Sequence, residues 1–530
     1  MDNPTTTRNT FVAAGYGLVL AFVFFLLFYR LDNHLLWGDE AETAVLARNV
    51  TRFGVPQTCD GTNYILLHGR MDETPSHVWI WSPWLQEYFA AGSFILFGAT
   101  TWAARAPFAL IGGCCVAALG LVAYKSHRSH WVALSSIVLL GTSEVFLLHA
   151  RQCRYYPISV FGEILLVYGV YRMFARDRRG IWLAAAALVL QFYSNYIIAV
   201  ANLPVLPVLA WMFRRVGRRA VLSVAAIPGI LAVAALPWLV YAHPWGQTRV
   251  IGAENYWLKA LGYLGEFHFH FIPLCILLLP ILGLLPPGRK QRTPEPEATQ
   301  RWERFLWILL PSYLVTVLII PGFYLRYLLP VLPVACLLTA VWIFRYLPWR
   351  MPAVVLVTVL ALSNVLSVLT AWPVCRTHPL RFPLVDFVRG LTVPYTDRLN
   401  DVLDFLKQRA HPGELVLTFD PDFPLIFYTP LKILDGQLMG PPPGQLPDWI
   451  LPVSPSGIVA QDPVPLPEFL KPRYERITIP VLDSVQADSI PEPDIYQYQN
   501  VRTRVPFVLY QLKPAGTNDF SPGAASPGHS

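Results

Sequence analysis

Long apolar stretches recur along the sequence up to about residue 372. A helix needs about 20 mostly apolar residues to cross the hydrocarbon core of a membrane, so we predict about eleven membrane-spanning helices. They cover residues 11–28, 103–124, 131–149, 157–175, 181–195, 196–213, 220–241, 271–285, 305–320, 327–344 and 351–372. The contiguous pair that meets near Asn195 has the alternative interpretation of one long bent helix.

Basic residues between these stretches predict the orientation, because short cytoplasmic loops collect Lys and Arg. The clusters lie at 125–128, 176–179, 214–219, 289–290 and 345–350. All of them fall on one side if the N-terminus is cytoplasmic and the shorter apolar run 84–97 lies at the outer membrane surface. The net charge of +7 is therefore assigned to membrane orientation, and no nucleic-acid partner is expected. We predict a multi-pass membrane protein with a cytoplasmic N-terminus.

The same topology predicts a membrane domain, 1–372, and an outer domain. The membrane domain includes a large outer loop, 30–102. After residue 373 the composition shifts to Pro, Asp and alternating apolar and polar residues, which predicts a small extracytoplasmic α/β domain, 373–512. Its expected elements are a helix at 397–410 and strands at 415–419, 476–482 and 506–512. The tail, 513–530, is rich in Pro, Gly and Ser and is predicted to be disordered.

An acidic motif, Trp37-Gly38-Asp39-Glu40-Ala41-Glu42, follows the first apolar stretch. Asp39 and Glu42 have the spacing of a helix-capping pair, which is one interpretation of the motif. The other is chemical, because adjacent carboxylates at a membrane surface raise each other's pKa or bind a cation, and a desolvated carboxylate is a good general base.

Arginines next to tyrosines mark the outer ends of several predicted helices, against the usual charge bias. Headgroup phosphates could neutralise them, which would make them ordinary interfacial residues. A bound phosphate is the alternative, since a guanidinium matches it well. The candidate residues for binding a lipid phosphate are Arg105, Arg151, Arg154, Arg326, Tyr155 and Tyr327.

Short motifs in a fixed order carry a resemblance to a known family. They are Asp-Glu after the first span, an interfacial helix within 83–98, Ala-Ala-Arg-Ala-Pro at 103–107, Arg-x-x-Arg-Tyr at 151–155 and Leu-Arg-Tyr-Leu-Leu-Pro at 325–330. This pattern resembles the GT-C class of membrane glycosyltransferases, especially the protein O-mannosyltransferases and the bacterial lipid A aminoarabinose transferases. It covers roughly residues 11–344.

The resemblance implies transfer of a sugar, with inversion, from a polyprenyl-phosphate donor to an acceptor on the outer face. The acceptor is a lipid, a glycan or a protein. Asp39 would be the general base, with Glu40 as its neighbour or as a cation ligand. The arginines would stabilise the phosphate leaving group. No cofactor is certain, and the need for a divalent cation stays open.

This chain departs from the family pattern at two places. No acid follows Arg151 before Glu163, and the interfacial helix lacks the usual cation ahead of paired prolines. The resemblance therefore carries over neither a second acid nor specificity for aminoarabinose, and His77 is the candidate to replace the missing cation. A transporter or flippase of a lipid-linked glycan is the alternative function. It would use the same arginines without chemistry, but such proteins usually show internal repeats and polar residues near the membrane midplane.

Overall fold

A computed structural model describes most of the chain. The described residues are 4–66, 69–214, 216–246, 255–278, 295–320, 322–347, 349–372, 378–392, 396–418, 422–435, 445–455, 466–482 and 503–514. They form two compact units. The first contains the described residues within 4–58 and 66–392, and the second those within 59–65 and 396–514. Helix 383–392 thus groups with the first unit, although the predicted domain boundary precedes it.

The first unit is helical. Its α-helices are α1 Pro4–Phe28, α2 Gly38–Phe53, α3 Leu85–Phe97, α4 Thr101–His127, α5 His130–Gly141, α6 Glu144–Ala150, α7 Tyr156–Phe174, α8 Arg179–Ser194, α9 Tyr196–Asn202, α10 Val205–Phe213, α11 Arg218–Ala242, α12 Tyr256–Glu266, α13 Leu274–Leu278, α14 Glu297–Ile319, α15 Leu332–Tyr346, α16 Arg350–Leu362, α17 Val365–Ala371 and α18 Pro383–Thr392. A 3₁₀ segment, Leu325–Val331, leads directly into α15.

By length and composition, the described part of the chain has 6 helices able to cross a membrane, or up to 8 if each bent pair is one span. The bent pairs are α5 with α6, at 64°, and α16 with α17, at 86°. The chain is therefore a multi-pass helical membrane protein. The count of about eleven stays a prediction, in part because the predicted span at 271–285 extends beyond the described residues.

The predicted break near Asn195 is confirmed. α8 ends at Ser194, and the side chain of Asn195 accepts a hydrogen bond from the backbone N–H of Ile197 at 3.0 Å. An Asn in this position caps the next helix and so favours a new start over one continuous helix. Gly169 and Gly180 let α7 and α8 approach so closely that a Cβ on either would overlap the neighbouring backbone. Small residues at such crossings are typical of membrane helices.

The second unit contains a five-stranded mixed sheet in the order β2-β1-β3-β5-β4. Its strands are β1 Leu415–Thr418, β2 Lys432–Asp435, β3 Trp449–Leu451, β4 Tyr474–Leu482 and β5 Arg504–Leu512, and its helices are α19 Arg398–Arg409 and α20 Phe423–Tyr428. β1 is parallel to β2 and β3, whereas β5 is antiparallel to β3 and β4.

The predicted helix and three predicted strands of this unit are confirmed to within one or two residues as α19, β1, β4 and β5. β2 and β3 are four and three residues long and were not predicted. Asn63, from the first large loop, donates to the carbonyl of Leu431 and accepts from the N–H of Ile433, so a piece of that loop packs into this unit. The predicted disordered tail lies almost wholly outside the described residues.

Candidate active site

The acidic motif forms the first turn of α2, which begins at Gly38. The N-cap residue of this helix is Trp37, and its side chain makes no capping hydrogen bond. The capping interpretation of Asp39 and Glu42 is therefore wrong. Trp37 instead anchors the turn, since its indole N–H donates to Gln152 Oε1 at 2.6 Å. The motif thus packs against the turn between α6 and α7.

Glu40 is fully buried and pairs with Arg105. The guanidinium contacts both carboxylate oxygens, with Nε to Oε1 at 2.8 Å and Nη2 to Oε2 at 2.6 Å. The backbone N–H of Cys153 also donates to Oε1, at 2.7 Å. A buried bidentate pair of this kind fixes the relative position of the elements that carry it.

The remaining donors of Arg105 are occupied as well. They bind the carbonyl oxygens of Leu31, His34 and Leu35 at 2.9–3.1 Å. A guanidinium has five N–H donors, and these contacts together with those to Glu40 use all of them. Arg105 is therefore placed to hold the chain between α1 and α2.

Arg151 binds the end of the first helix. Its guanidinium donates to the carbonyls of Leu26, Leu27, Tyr29 and Arg30 at distances of 2.7–3.0 Å. The last carbonyls of a helix have no partner within the helix and carry partial negative charge, so a cation there is stabilising. This contact explains an arginine at the predicted outer surface without a headgroup or a substrate phosphate.

Arg154 lies over the first turn of α2. Its Nη1 donates to the carbonyl of Asp39 at 2.9 Å, to Glu42 Oε1 at 3.0 Å and to Thr43 Oγ1 at 2.8 Å. Its Nη2 is 3.5 Å from Asp39 Oδ2. The buried Nε atom has no hydrogen-bond partner. Arg154 therefore holds the acidic motif and still has one donor for another group.

Asp39 is the most accessible acid of the motif, with a side chain that is 26% exposed. Its Oδ2 atom is 3.1 Å from Arg326 Nη1, so one carboxylate oxygen faces two arginines. The Arg326 guanidinium stacks on the ring of Tyr324, at 4.3 Å from the ring centroid, and its buried Nε also lacks a partner. Asp39, Arg154 and Arg326 therefore meet in one partly open cluster, which we call the acid–arginine cluster.

The two predicted tyrosines line this cluster. Tyr155 is buried below Arg154, and its backbone N–H donates to Gln86 Oε1 at 3.0 Å. Burial raises the pKa of the Tyr155 hydroxyl well above its usual value, so it stays neutral. Tyr327 is buried, and its ring packs edge-on against that of Tyr324 with 5.6 Å between the ring centroids. Its backbone carbonyl accepts a hydrogen bond from the Tyr313 hydroxyl at 2.9 Å.

Two buried carboxyls beside the cluster have perturbed pKa values. Burial raises the pKa of Glu42 to about 7, although Arg154 opposes the shift. Burial also raises the pKa of Glu87, on α3, to about 8, and its Oε2 atom has no hydrogen-bond partner. We did not predict a site role for Glu87 or Tyr324. The signal for Glu87 was a charged residue within an apolar, aromatic run, and for Tyr324 its place two residues before Arg326.

Within the described residues, one group has the spacing of metal ligands, namely His127, Glu295 and Glu303. Arg345 already binds both of these carboxylates at 2.6–2.8 Å. His127 also lies about 33 Å from Arg105 along α4, at the other end of that helix. This group is therefore a charge network remote from Asp39. His77, the predicted substitute cation, pairs with Glu73 at 2.9 Å.

No protein-family model and no curated protein matches this sequence. Solved structures do match it. ArnT from Cupriavidus metallidurans, a lipid A aminoarabinose transferase, matches in its undecaprenyl phosphate complex with 17% identity and a TM-score of 0.55, over 80% of this chain and 86% of that one. Its apo state matches with 16% identity and a TM-score of 0.54, over 81% and 86%.

The archaeal oligosaccharyltransferase AglB from Archaeoglobus fulgidus also matches, with 11% identity over 81% of this chain and 65% of that one. The TM-score of this match is 0.44. The ArnT matches extend over most of both chains, and their low identity limits what they establish to the fold. That fold is the one predicted from the order of the sequence motifs, namely the fold of the GT-C glycosyltransferases.

Proposed function

We propose that this protein is a glycosyltransferase that moves a sugar from a polyprenyl-phosphate donor to an acceptor on the outer face of a bacterial inner membrane. One observation carries the proposal: the acid–arginine cluster places a partly exposed carboxylate against two arginines that each keep an unpartnered buried N–H. This reaction needs a base for the acceptor and positive charge for the leaving phosphate, and the cluster has both.

Asp39 is the base in this proposal. An acceptor hydroxyl is a weak nucleophile, and its oxygen attacks the anomeric carbon as its proton passes to the carboxylate. The bond from that carbon to the phosphate oxygen breaks at the same time, which inverts the anomeric centre and leaves polyprenyl phosphate. Of the motif's carboxylates, Asp39 is suited to this step because Glu40 and Glu42 are buried and paired with arginines.

Arg326 and Arg154 stabilise the leaving phosphate. Both guanidinium groups lie close to the same oxygen of Asp39. A phosphate that binds them therefore competes with the carboxylate for their N–H groups. Donor binding would then weaken the ion pairs of Asp39 and free it to accept a proton. We leave Arg105 and Arg151 out of the donor contacts, because protein oxygens bind their guanidinium groups. Glu40 and Arg105 instead position the motif.

Asp39→Asn tests the assignment. We expect transfer to fall by roughly 10²- to 10⁴-fold, the usual contribution of a general base, with undecaprenyl phosphate still bound. Transfer would be measured with purified protein in vesicles, using a panel of radiolabelled undecaprenyl-phosphate hexoses and pentoses and a membrane acceptor fraction. The matched control is Asp177→Asn, which removes a carboxylate paired with Arg172 outside the cluster. Full transfer by Asp39→Asn would refute the role of this residue.

A transporter of lipid-linked glycans is the second candidate, and one feature favours it. Glu163 is fully buried within α7, where Gln191 and Asn202 donate to its Oε2 atom at 2.9 Å and 2.7 Å. Carboxyls inside membrane helices often mark a translocation path. Glu163→Gln separates the candidates, since a transporter would lose movement of undecaprenyl-phosphate sugars across vesicles while a transferase would keep sugar transfer.

A further inference from the structure

α12 is a short helix with two different faces. Lys259 and Tyr263 are buried on one face. The other face exposes large apolar side chains, including Trp257 at 83%, Leu258 at 66% and Leu261 at 65%. Eleven residues extend about 16 Å, which is too short to cross a membrane. An amphipathic helix of this kind is suited to lie in the plane of the membrane surface.

The buried face of α12 contacts the C-terminal end of α14. Lys259 Nζ donates to the carbonyl of Ile320, the C-cap residue of α14, where a cation is favourable. The backbone N–H of Tyr324 donates to the Tyr263 hydroxyl at 3.2 Å, and the Tyr263 ring lies 4.5 Å from that of Phe323. α12 therefore holds both Ile320 and Tyr324.

Glycines make this close packing possible. Gly262 of α12 faces Phe323, and a Cβ at this position would lie 2.9 Å from the ring. Gly322 has a φ of +83°, and its Cβ would lie 2.6 Å from the Tyr324 ring. A left-handed conformation next to an aromatic ring strongly favours glycine. The backbone conformation at Gly322 and the packing of Phe323 are thus specified locally, by the glycines.

Tyr324 connects this packing to the acid–arginine cluster. Tyr324 lies under the Arg326 guanidinium, and Arg326 contacts Asp39 at 3.1 Å. A shift of Tyr324 would therefore move the arginine relative to the carboxylate. Small displacements of this kind have large effects on orientation-dependent sites.

The neighbours of α12 indicate what its exposed face contacts. The helix itself packs against the end of α14, because Lys259 reaches Ile320, and Ile319 and Val315 at that end of α14 are exposed as well. Apolar side chains that are exposed at the end of a membrane helix, and on a short amphipathic helix packed against that end, are suited to contact lipid. We propose that α12 lies in the membrane surface and, through Lys259 and Tyr263, holds Arg326 in its position beside Asp39. This inference rests on the proposed function, because it assigns α12 a role through Arg326.

A double-mutant cycle tests the positioning role, with undecaprenyl phosphate binding as the readout. Tyr263→Phe removes the hydroxyl that accepts from Tyr324, and we expect about tenfold weaker binding. In an Arg326→Ala background the same change should have no further effect, since it acts through the arginine. The control is Tyr193→Phe, which also removes one hydroxyl bonded to the backbone, here as a donor to the carbonyl of Ala234, and should leave binding unchanged.

Lys259 supplies a second variant that does not depend on the tyrosine. Lys259→Met should weaken binding, whereas Lys259→Arg should restore most of it because the cation is kept. Equal weakening by Tyr263→Phe with and without Arg326 would overturn the inference while leaving the proposed function intact. Unchanged binding by Arg326→Ala alone would overturn both, which distinguishes the two failures.

The membrane contact is tested by site-specific crosslinking. A photoreactive benzophenone amino acid at position 258 in phosphatidylcholine vesicles should form adducts with phospholipid, detected by mass spectrometry. The same group at position 408, an exposed site on α19, should form none. Absence of lipid adducts at position 258 would refute the proposed membrane contact of α12.

Discussion

Replacing Arg151 is expected to destabilise the protein without weakening donor binding. Its guanidinium makes four hydrogen bonds to carbonyls at the end of α1, at 2.7–3.0 Å. Hydrogen bonds to a charged donor contribute about 1.5–3 kcal/mol each, but shared partners make them strongly non-additive. Loss of a cation at a helix C-terminus adds about 0.3–1 kcal/mol. We therefore expect Arg151→Met to cost about 3–5 kcal/mol.

The assay compares two arginines that the sequence alone does not distinguish. Arg151→Met and Arg326→Met would be purified in the same detergent, and the thermal unfolding midpoint and the affinity for undecaprenyl phosphate measured for each. Arg151→Met should lower the midpoint by several degrees and keep the affinity of the folded protein. Arg326→Met should weaken the affinity and leave the midpoint nearly unchanged, since the guanidinium contacts the partly exposed Asp39 and stacks on the ring of Tyr324.

Two results would refute this reasoning. If Arg151→Met bound undecaprenyl phosphate at least tenfold more weakly at a temperature well below its unfolding midpoint, Arg151 would be a donor contact. If its unfolding midpoint equalled that of the wild type, the carbonyl contacts would contribute nothing to stability. Arg151→Lys is a useful intermediate, because a single ammonium keeps the charge but cannot span four carbonyls.

Two further predictions concern buried or capping acids. Burial raises the pKa of Glu87 to about 8, so the folded state keeps a proton that the unfolded chain loses above about 4.5. The free energy of unfolding is therefore highest below about pH 4.5 and falls as the pH rises from there through 8. Glu87→Gln should therefore raise the unfolding midpoint relative to the wild type more at pH 8.5 than at pH 5; an equal difference at both would contradict the burial argument. Asp397 caps α19 in a reciprocal pair with Asn400, so Asp397→Ala should cost about 1 kcal/mol. Faster hydrogen exchange in the first turn of α19 would measure that loss, and unchanged exchange would contradict it.

The sequence was informative where function depends on residue type and order. Apolar length identified most of the helices, and the acidic motif and arginines were singled out by their placement between them. Their partners were not predictable, because contacts such as Arg326 with Asp39 join residues 287 positions apart. Arg105 and Arg151 illustrate the limit further. Most of their partners are backbone carbonyls, which every residue has and which therefore leave no pattern in the sequence.

Helix α12 shows a different limit. Its aromatic residues, such as Trp257, could be read from the sequence, but its two faces become meaningful only when Lys259 and Tyr263 are seen against the end of α14. Short helices give few periods of an amphipathic pattern. β2 and β3 were missed for a related reason, since strands of four and three residues carry too few alternations to be recognised.

The charge balance of the site constrains how a donor could bind. The three carboxylates of the motif, Asp39, Glu40 and Glu42, are contacted by three arginines, so the group is formally neutral before any ligand arrives. A phosphate adds negative charge to this neutral group, and desolvated like charges are costly. A proton or a divalent cation would offset this added charge. Glu42 is suited to the first role, because its pKa of about 7 lets it take up a proton near neutral pH when Arg154 turns towards the phosphate. In the proposed reaction Glu42 would thus supply the charge that changes, while Glu40 is paired with Arg105 and Asp39 is accessible.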